Sequence, residues 1–262
     1  MEELAIVFVH GGSHGSWCWD DVITQLKFMG CKGPLIALDV PGCGTKRDQR
    51  SEQLTLAAIA AELNAEVSSR VTGSALLVGH SMAGILLPLM VALAPAQYSE
   101  ACFLAACIPR VGESVSDTMG TGAQGMDPDK VGWPVPLSDD PIVMYKAMFG
   151  PDMTQKQLDW VIEQVQRDDW PRSAAAESVD RKGFPGKTRI SYIATERDPI
   201  LPLLWQGRFA ERIGAQTLYL LNTPHEPFVT HPSELADLIY HICGRLERLQ
   251  RGTRKSHENQ II

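Results

Sequence analysis

The 262-residue chain lacks an excess of positive charge: 24 Lys and Arg stand against 31 Asp and Glu, for a formal net charge of −7. With no basic block in its body, it carries no electrostatic footprint for nucleic acid. Its most basic stretch, RLERLQRGTRK (245–255), reads as the end of a helix, where cations suit the C-terminal dipole, followed by a polar terminus. Also missing is any apolar run near the roughly 20 residues that cross a bilayer, so no membrane role is expected. The start, MEELAIVFVHGG, has no basic leader and only a short apolar run, and it does not read as a secretory signal. Six cysteines are present without a CxxC spacing; Cys18, Cys31, Cys43, Cys102, Cys107 and Cys243 are scattered, several in apolar runs, as buried free thiols are. Reduced thiols in a cytoplasmic protein are the expectation. Internal repeats and low-complexity segments are absent. What is abundant is hydrophobic residues, 44% of the chain, enough for one large domain or for one domain with a substantial insertion.

Short apolar runs punctuate the sequence: LAIVFV (4–9), PLIAL (34–38), ALLVG (75–79), CFLAA (102–106), RISYIA (189–194) and TLYLL (217–221). Continuous runs of this length suit strands buried on both faces of a parallel sheet. Helical patterns lie between them at 54–67, 82–94, 203–213 and 233–249. Alternation of strand and helix predicts an α/β fold with a mostly parallel six-stranded sheet and right-handed crossovers. The alternation breaks from 109 to 187. That stretch opens with a Gly-, Pro- and Asp-rich segment and continues with the helical patterns IVMYKAMF and TQKQLDWVIEQVQ. It reads as an inserted cap over one end of the sheet, with 1–108 and 188–262 as the core. Its Met and Trp residues, Trp133 among them, give the cap an apolar underside.

The stretch VGHSMAG (78–84) places a lone serine between a strand and a helix. Strand, G-x-S-x, helix is the context of a nucleophile elbow, whose sharp turn exposes the serine hydroxyl at the C-terminal edge of the sheet. The pattern departs from the usual one at Ala83, where glycine is expected, with Gly84 following. By itself the motif also fits a serine that merely caps a helix; the partners decide. A serine needs a base, and the base needs a carboxylate. In the hydrolase order of serine, acid, histidine, RISYIATERDPILP supplies Asp198 and TLYLLNTPHEPF supplies His225, both just beyond strands. Glu196 competes for the acid, and Asp198 is preferred because it immediately precedes the turn proline. The Met82 amide and the Gly12 amide, the latter in HGGSHGSW after the first strand, are the candidate oxyanion donors. Gly11, Trp133 and Phe228 are the candidate substrate-binding residues.

Other features read as structural. His10 and His14 have a zinc-ligand spacing but sit in a glycine-rich loop, where hydrogen bonds that shape the loop are expected and no metal. His80 is expected to point away from the nucleophile and to pack. GTGAQG (120–125) matches a dinucleotide fingerprint only in letters, since neither a buried strand nor a helix flanks it. The adjacent acids Asp20-Asp21, Asp139-Asp140 and Asp168-Asp169 read as solvated caps and turns.

With these residues in hand, the sequence resembles the plant methylesterase and hydroxynitrile lyase branch of the α/β-hydrolases. The resemblance rests on VFVHGGSHGSWCW (7–19), LIALDVPGCG (35–44), LLVGHSMAG (76–84), CFLAACIP (102–109), YKAMFGP (145–151) and the His225 loop. It is weakest in 110–140. It implies the α/β-hydrolase fold, starting directly at the strand before HGGSHG without the N-terminal hairpin of larger hydrolases. It implies a Ser81, Asp198, His225 triad, an oxyanion hole at Gly12 and Met82, and no cofactor. The implied substrates are small esters, often methyl esters of apolar or aromatic acids, and homodimers are common in such families. Ester hydrolysis is expected, with a triad-based lyase, a lactone hydrolase and a non-catalytic ligand receptor as alternatives. Lyases of this branch carry threonine and lysine where this chain has Gly11 and Glu226. Glycine is expected to leave room for the alcohol, and the glutamate to repel cyanide or to face solvent.

Overall fold

The computed structural model describes residues 3–49, 53–119, 135 and 138–258, with side chains to residue 249. The first half alternates: β1 (Ala5–Val9), α1 (Asp20–Phe28), β2 (Leu35–Leu38), α2 (Leu56–Arg70), β3 (Ala75–His80), α3 (Leu87–Leu93) and β4 (Tyr98–Leu104). Then come only helices among the described residues: α4 (Val115–Met119), α5 (Pro141–Phe149), α6 (Gln155–Val165) and α7 (Arg172–Ala176). The alternation resumes with β5 (Arg189–Thr195), α8 (Leu203–Ile213), β6 (Thr217–Leu221), α9 (Pro227–Thr230) and α10 (Pro232–Glu258).

All five strand pairings are parallel, in the order β2-β1-β3-β4-β5-β6. Every residue of β1 and β3 is buried, which is why their runs are apolar throughout rather than alternating. The edge strand β6 alternates instead, with Leu218 and Leu220 exposed. Strand order reverses at β1: β2 lies on one side and β3 on the other. The loops leaving β1 and β3 therefore diverge at the C-terminal edge, at the switch point where open α/β sheets form their clefts. The register pairs Val9 with Gly79, which sets the two loops level.

Three departures from the sequence reading have local causes. β4 begins at Tyr98, four residues before the apolar run suggests, because Glu100 is buried inside it. Arg245 of α10 reaches both its oxygens at 2.7 and 2.6 Å, and Ser191 of β5 donates to it at 2.7 Å. The strand stops at Leu104 because Ala105 turns to φ 41°. The pattern at 82–94 starts as a tight 3-10 turn, Ser81–Ile85, before α3. α1 escapes an apolar-pattern reading because only Val22 and Leu26 are buried in it.

Of the acidic pairs, Asp20 and Asp21 open α1, and Asp140 caps α5 through the Ile142 amide at 2.8 Å. Asp168 overturns the solvated reading. Its buried carboxylate takes Arg47 Nε at 2.5 Å, the Trp17 indole N–H at 2.7 Å and the Gly44 amide at 2.8 Å. GTGAQG lies outside the described residues, as does Trp133. No helix among the described residues is long and apolar enough to cross a membrane.

Candidate active site

Ser81 sits where β3 gives way to the 3-10 turn, at φ 51°. A non-glycine residue there stores strain on the order of 1 kcal/mol or more, which the surrounding packing must hold. The hold is visible. The Ser81 carbonyl accepts from the Cys107 amide at 3.1 Å, and a side chain at Gly79 would overlap Leu87 and press on the Ala83 methyl. The methyl at 83, foreign to the usual motif, is fully buried and fits because position 79 has none.

Beyond β5, Asp198 is fixed before it meets the base. Its Oδ1 accepts from the Ile200 and Leu201 amides at 2.8 Å each, and its Oδ2 accepts from the Thr195 hydroxyl at 2.8 Å. Gln206 of α8 braces that turn by donating to the Thr195 and Leu201 carbonyls at 2.9 and 2.6 Å. The loop after β6 brings His225 Nδ1–H to Asp198 Oδ2 at 2.6 Å. Glu196 is exposed, and among the described residues its one hydrogen bond is from its main-chain amide to the Leu221 carbonyl. Asp198 rather than Glu196 is thus the acid joined to the histidine. Burial pulls the His225 pKa down, but the Asp198 charge and hydrogen bond, with the Glu226 charge, together push it up more strongly, so the ring is more basic than usual. Its Nε2 is buried with no hydrogen-bond partner among the described residues.

The loop after β1 is held by histidines. His10 donates from Nδ1 to the Gly11 carbonyl at 2.8 Å and accepts the Val40 amide at Nε2, 3.0 Å, so the network assigns it a neutral ring. Burial lowers its pKa to about 4. These bonds shape the loop, as the sequence suggests. His14 Nδ1–H donates to the Gly12 carbonyl at 2.8 Å, while its Nε2 lies 3.0 Å from Glu226 Oε2. Burial lowers the His14 pKa, yet the Glu226 charge and the ring's contacts to Glu226 and the Gly12 carbonyl together outweigh it, and the net shift is upward. Glu226 is fully buried, which corrects the expectation of a solvent-facing residue. His80 packs, as expected, but also does more: its Nε2–H donates to the His225 carbonyl at 3.0 Å, and the two rings lie 4.6 Å apart. Thr195 and Gln206 support the site without a sequence motif to flag them, whereas His14 and His80 lie in quoted motifs but read there as loop-shaping and packing residues.

Ser81, Met82, Gly12, His14, His80 and His225 line one cavity. Its other wall is apolar: Val115 and Met119 of α4, Met148 and Phe149 of α5, and Ile200 and Leu201. Cys107 also lines it, but burial pushes that thiol up to about 12, so it is no second nucleophile. Two of the candidate substrate-binding residues sit elsewhere. Phe228 is fully buried, edge-on to His80 at 4.8 Å and tilted against Trp19 at 5.2 Å, which makes it packing beneath the histidines. Gly11 is packed against the nucleophile's own turn and is not part of the cavity lining: a Cβ there would stand 2.8 Å from His80 Nδ1 and 2.9 Å from Ser81 Cβ. The third, Trp133, is outside the described residues. At Gly12 a Cβ would overlap Met82 Sδ, so glycine lets that amide and the Met82 turn come together.

The strained serine at a strand-to-helix turn, on an all-parallel sheet whose later loops bring a histidine and an acid together, defines a class. The chain belongs to the alpha/beta hydrolase family, whose model matches residues 6–238. A probable esterase, PIR7A, of Oryza sativa subsp. indica is 35% identical over 124 residues, 47% of this chain and 46% of that protein. The chain thus matches about half the length of that relative. Methylesterase 18 of Arabidopsis thaliana is 24% identical over 94% of this chain and 99% of its own length. Among solved structures, a mutant of polyneuridine aldehyde esterase superposes with a TM-score of 0.73 at 20% identity, covering 92% of this chain and 99% of that one.

Proposed function

We propose that the chain hydrolyses small carboxylic esters through an acyl-enzyme on Ser81. The observation that carries this reading is the state of His225: one ring nitrogen bound to a buried, pre-fixed aspartate, the other unpartnered beside the cavity that holds Ser81. His225 Nε2 takes the Ser81 proton as Oγ attacks the ester carbonyl. The Met82 and Gly12 amides donate to the oxyanion. His225 then gives the proton to the departing alcohol, and water repeats the sequence on the acyl group. Asp198 keeps its charge throughout and holds the imidazolium. Residues 109–187 act as the cap, and the methionine-rich wall from α4 and α5 receives the acyl group. The apolar wall of Val115, Met119, Met148, Phe149, Ile200 and Leu201, with no charged side chain in it, supports neutral apolar acyl groups. The names of the relatives, esterase and methylesterase, support the same class.

Hydroxynitrile cleavage is disfavoured on shape. The threonine that such lyases carry at position 11 has no space here, and position 226 offers no lysine. The expected repulsion of cyanide by Glu226 loses force, because His14 lies against that carboxylate. The test is a panel of p-nitrophenyl, methyl and lactone esters, followed by intact mass spectrometry. Ester turnover with an acyl adduct on Ser81 is expected. Turnover that survives Ser81→Ala, or cyanide release from mandelonitrile above background, would overturn the reading.

A further inference from the structure

Directly after the base stands a carboxylate that the hydrolytic cycle above does not use. Glu226 is fully buried, and neither of its oxygens has a hydrogen-bond donor among the described residues. A buried carboxylate in such a setting is costly unless a counter-charge compensates it. Ring nitrogens of His80 and His225 and a Glu226 oxygen all lie within 4.8 Å of one another. The groups facing this cluster come from every loop at the edge. Asp198 follows β5 and already holds His225 Nδ1. His80 ends β3, and burial drives its pKa far down, so it is neutral. Cys18, in the turn after the first loop, is held protonated by burial. His10, Asp39 and Asp168 act from further out, with His10 neutral and both acids bound by their own donors. His14 remains. Its Nδ1–H is committed to the Gly12 carbonyl, so a neutral ring would turn a lone pair at Nε2 toward Glu226 Oε2, 3.0 Å away. A proton must lie between them, although the N–H is off the line of a good hydrogen bond.

We propose that Glu226 and His14 are positioning residues for the base: the Glu226 carboxylate is a second acidic group serving His225, and His14 holds it in place. The inference rests on the hydrolase reading only in taking His225 as the base. When His225 accepts the serine proton, its imidazolium lies near two carboxylates, Asp198 on Nδ1 and Glu226 close by. No proton passes to either acid, and His14 keeps its own. The upward pull of Glu226 on His225 agrees with this placement. The rival role is a pin that merely ties the loops after β1 and β6 together.

The full-length chain, labelled at histidine, is titrated by NMR. In the wild type, His14 is expected to be an imidazolium at neutral pH; a neutral His14 there overturns the proposal without any variant. In Glu226→Gln, the His225 midpoint is expected to fall by about one pH unit, the scale of losing one nearby opposite charge. The acid limb of Ser81 phosphonylation by a fluorophosphonate should move with it. Glu226→Asp, which keeps the charge, should retain the wild-type midpoint. A His225 midpoint unchanged in a folded Glu226→Gln protein would leave only the pin. A wild-type Ser81 that does not react at all defeats the hydrolase reading instead, while the histidine titration still decides the pair.

Discussion

The wall built from the loops after β1, β3, β5 and β6 and the wall built from α4 and α5 face the same cavity, yet they are held by different forces. The first is fixed by hydrogen bonds: Asp198 takes two amides and a hydroxyl, His225 is bound at Nδ1 and at its carbonyl, and the Ser81 carbonyl takes the Cys107 amide. The second offers Val115, Met119, Met148 and Phe149, whose contacts with the cavity are apolar. Hydrogen bonds fix direction, which proton transfer requires. Apolar contact fixes only volume, and methionine adapts its shape readily. The contrast teaches that chemistry and acyl preference are separable here, and that substitutions on the two walls should fail differently.

The largest effect should come from the first wall. Ser81→Ala is expected to lower kcat by roughly 10³-fold or more while the protein keeps its wild-type circular dichroism. Next, Asp198→Asn should be severely impaired, though no more than Ser81→Ala, by removing the group that orients His225. Glu196→Gln, two residues away and exposed, should change kcat/KM by less than about twofold. A reversed ranking in steady-state assays would move the acid to Glu196 and break the contrast between bonded and solvent-facing carboxylates.

A third measurement is the pH profile of kcat/KM. The base must be neutral in the free enzyme, and the His225 pKa is raised from its ordinary 6.5. Activity should therefore fall about tenfold per unit as pH drops below a midpoint above 6.5. A midpoint below 6.5 would mean that burial outweighs Asp198. The smallest effect belongs to the second wall. Met148→Ala should raise the kcat/KM ratio of a bulky acyl ester to its acetyl counterpart by roughly tenfold, the scale of a methylene or two in an apolar pocket. Equal losses for both esters would show that α5 supports the catalytic wall and not the acyl group.

The first wall was largely legible in the sequence because its parts are tied to turns. A nucleophile elbow needs small neighbours, and an acid before a proline or a histidine after a strand leaves a short-range trace. The sheet was legible for a related reason, since strands covered on both faces must be apolar. What escaped is held across long sequence distances. Glu100 is hydrogen-bonded by Arg245 and Ser191, so a polar residue entered a central strand where no local pattern allows one. Glu226 looks like a loop acid until His14 is seen against it. Phe228 lies close in sequence to the catalytic histidine, but ring packing holds it beneath the histidines. The second wall carries no motif at all, since many apolar residues fill a volume equally well.

Asp168 follows α6 and is clamped by Arg47, the Trp17 indole and the Gly44 amide, while the next amide, Asp169, donates to the Gly42 carbonyl at 3.0 Å. Mechanically this is a rivet. Five bonds meet at this one turn, counting both Arg47 nitrogens. The α5 side has a fastening of its own, since Asp152, just beyond that helix, pairs with Arg197 of the loop after β5. The Asp169 amide should therefore be protected from exchange with solvent. Cutting the rivet with Asp168→Asn should speed its exchange. An Asp169 rate unchanged in that variant would mean that the clamp does not hold the turn.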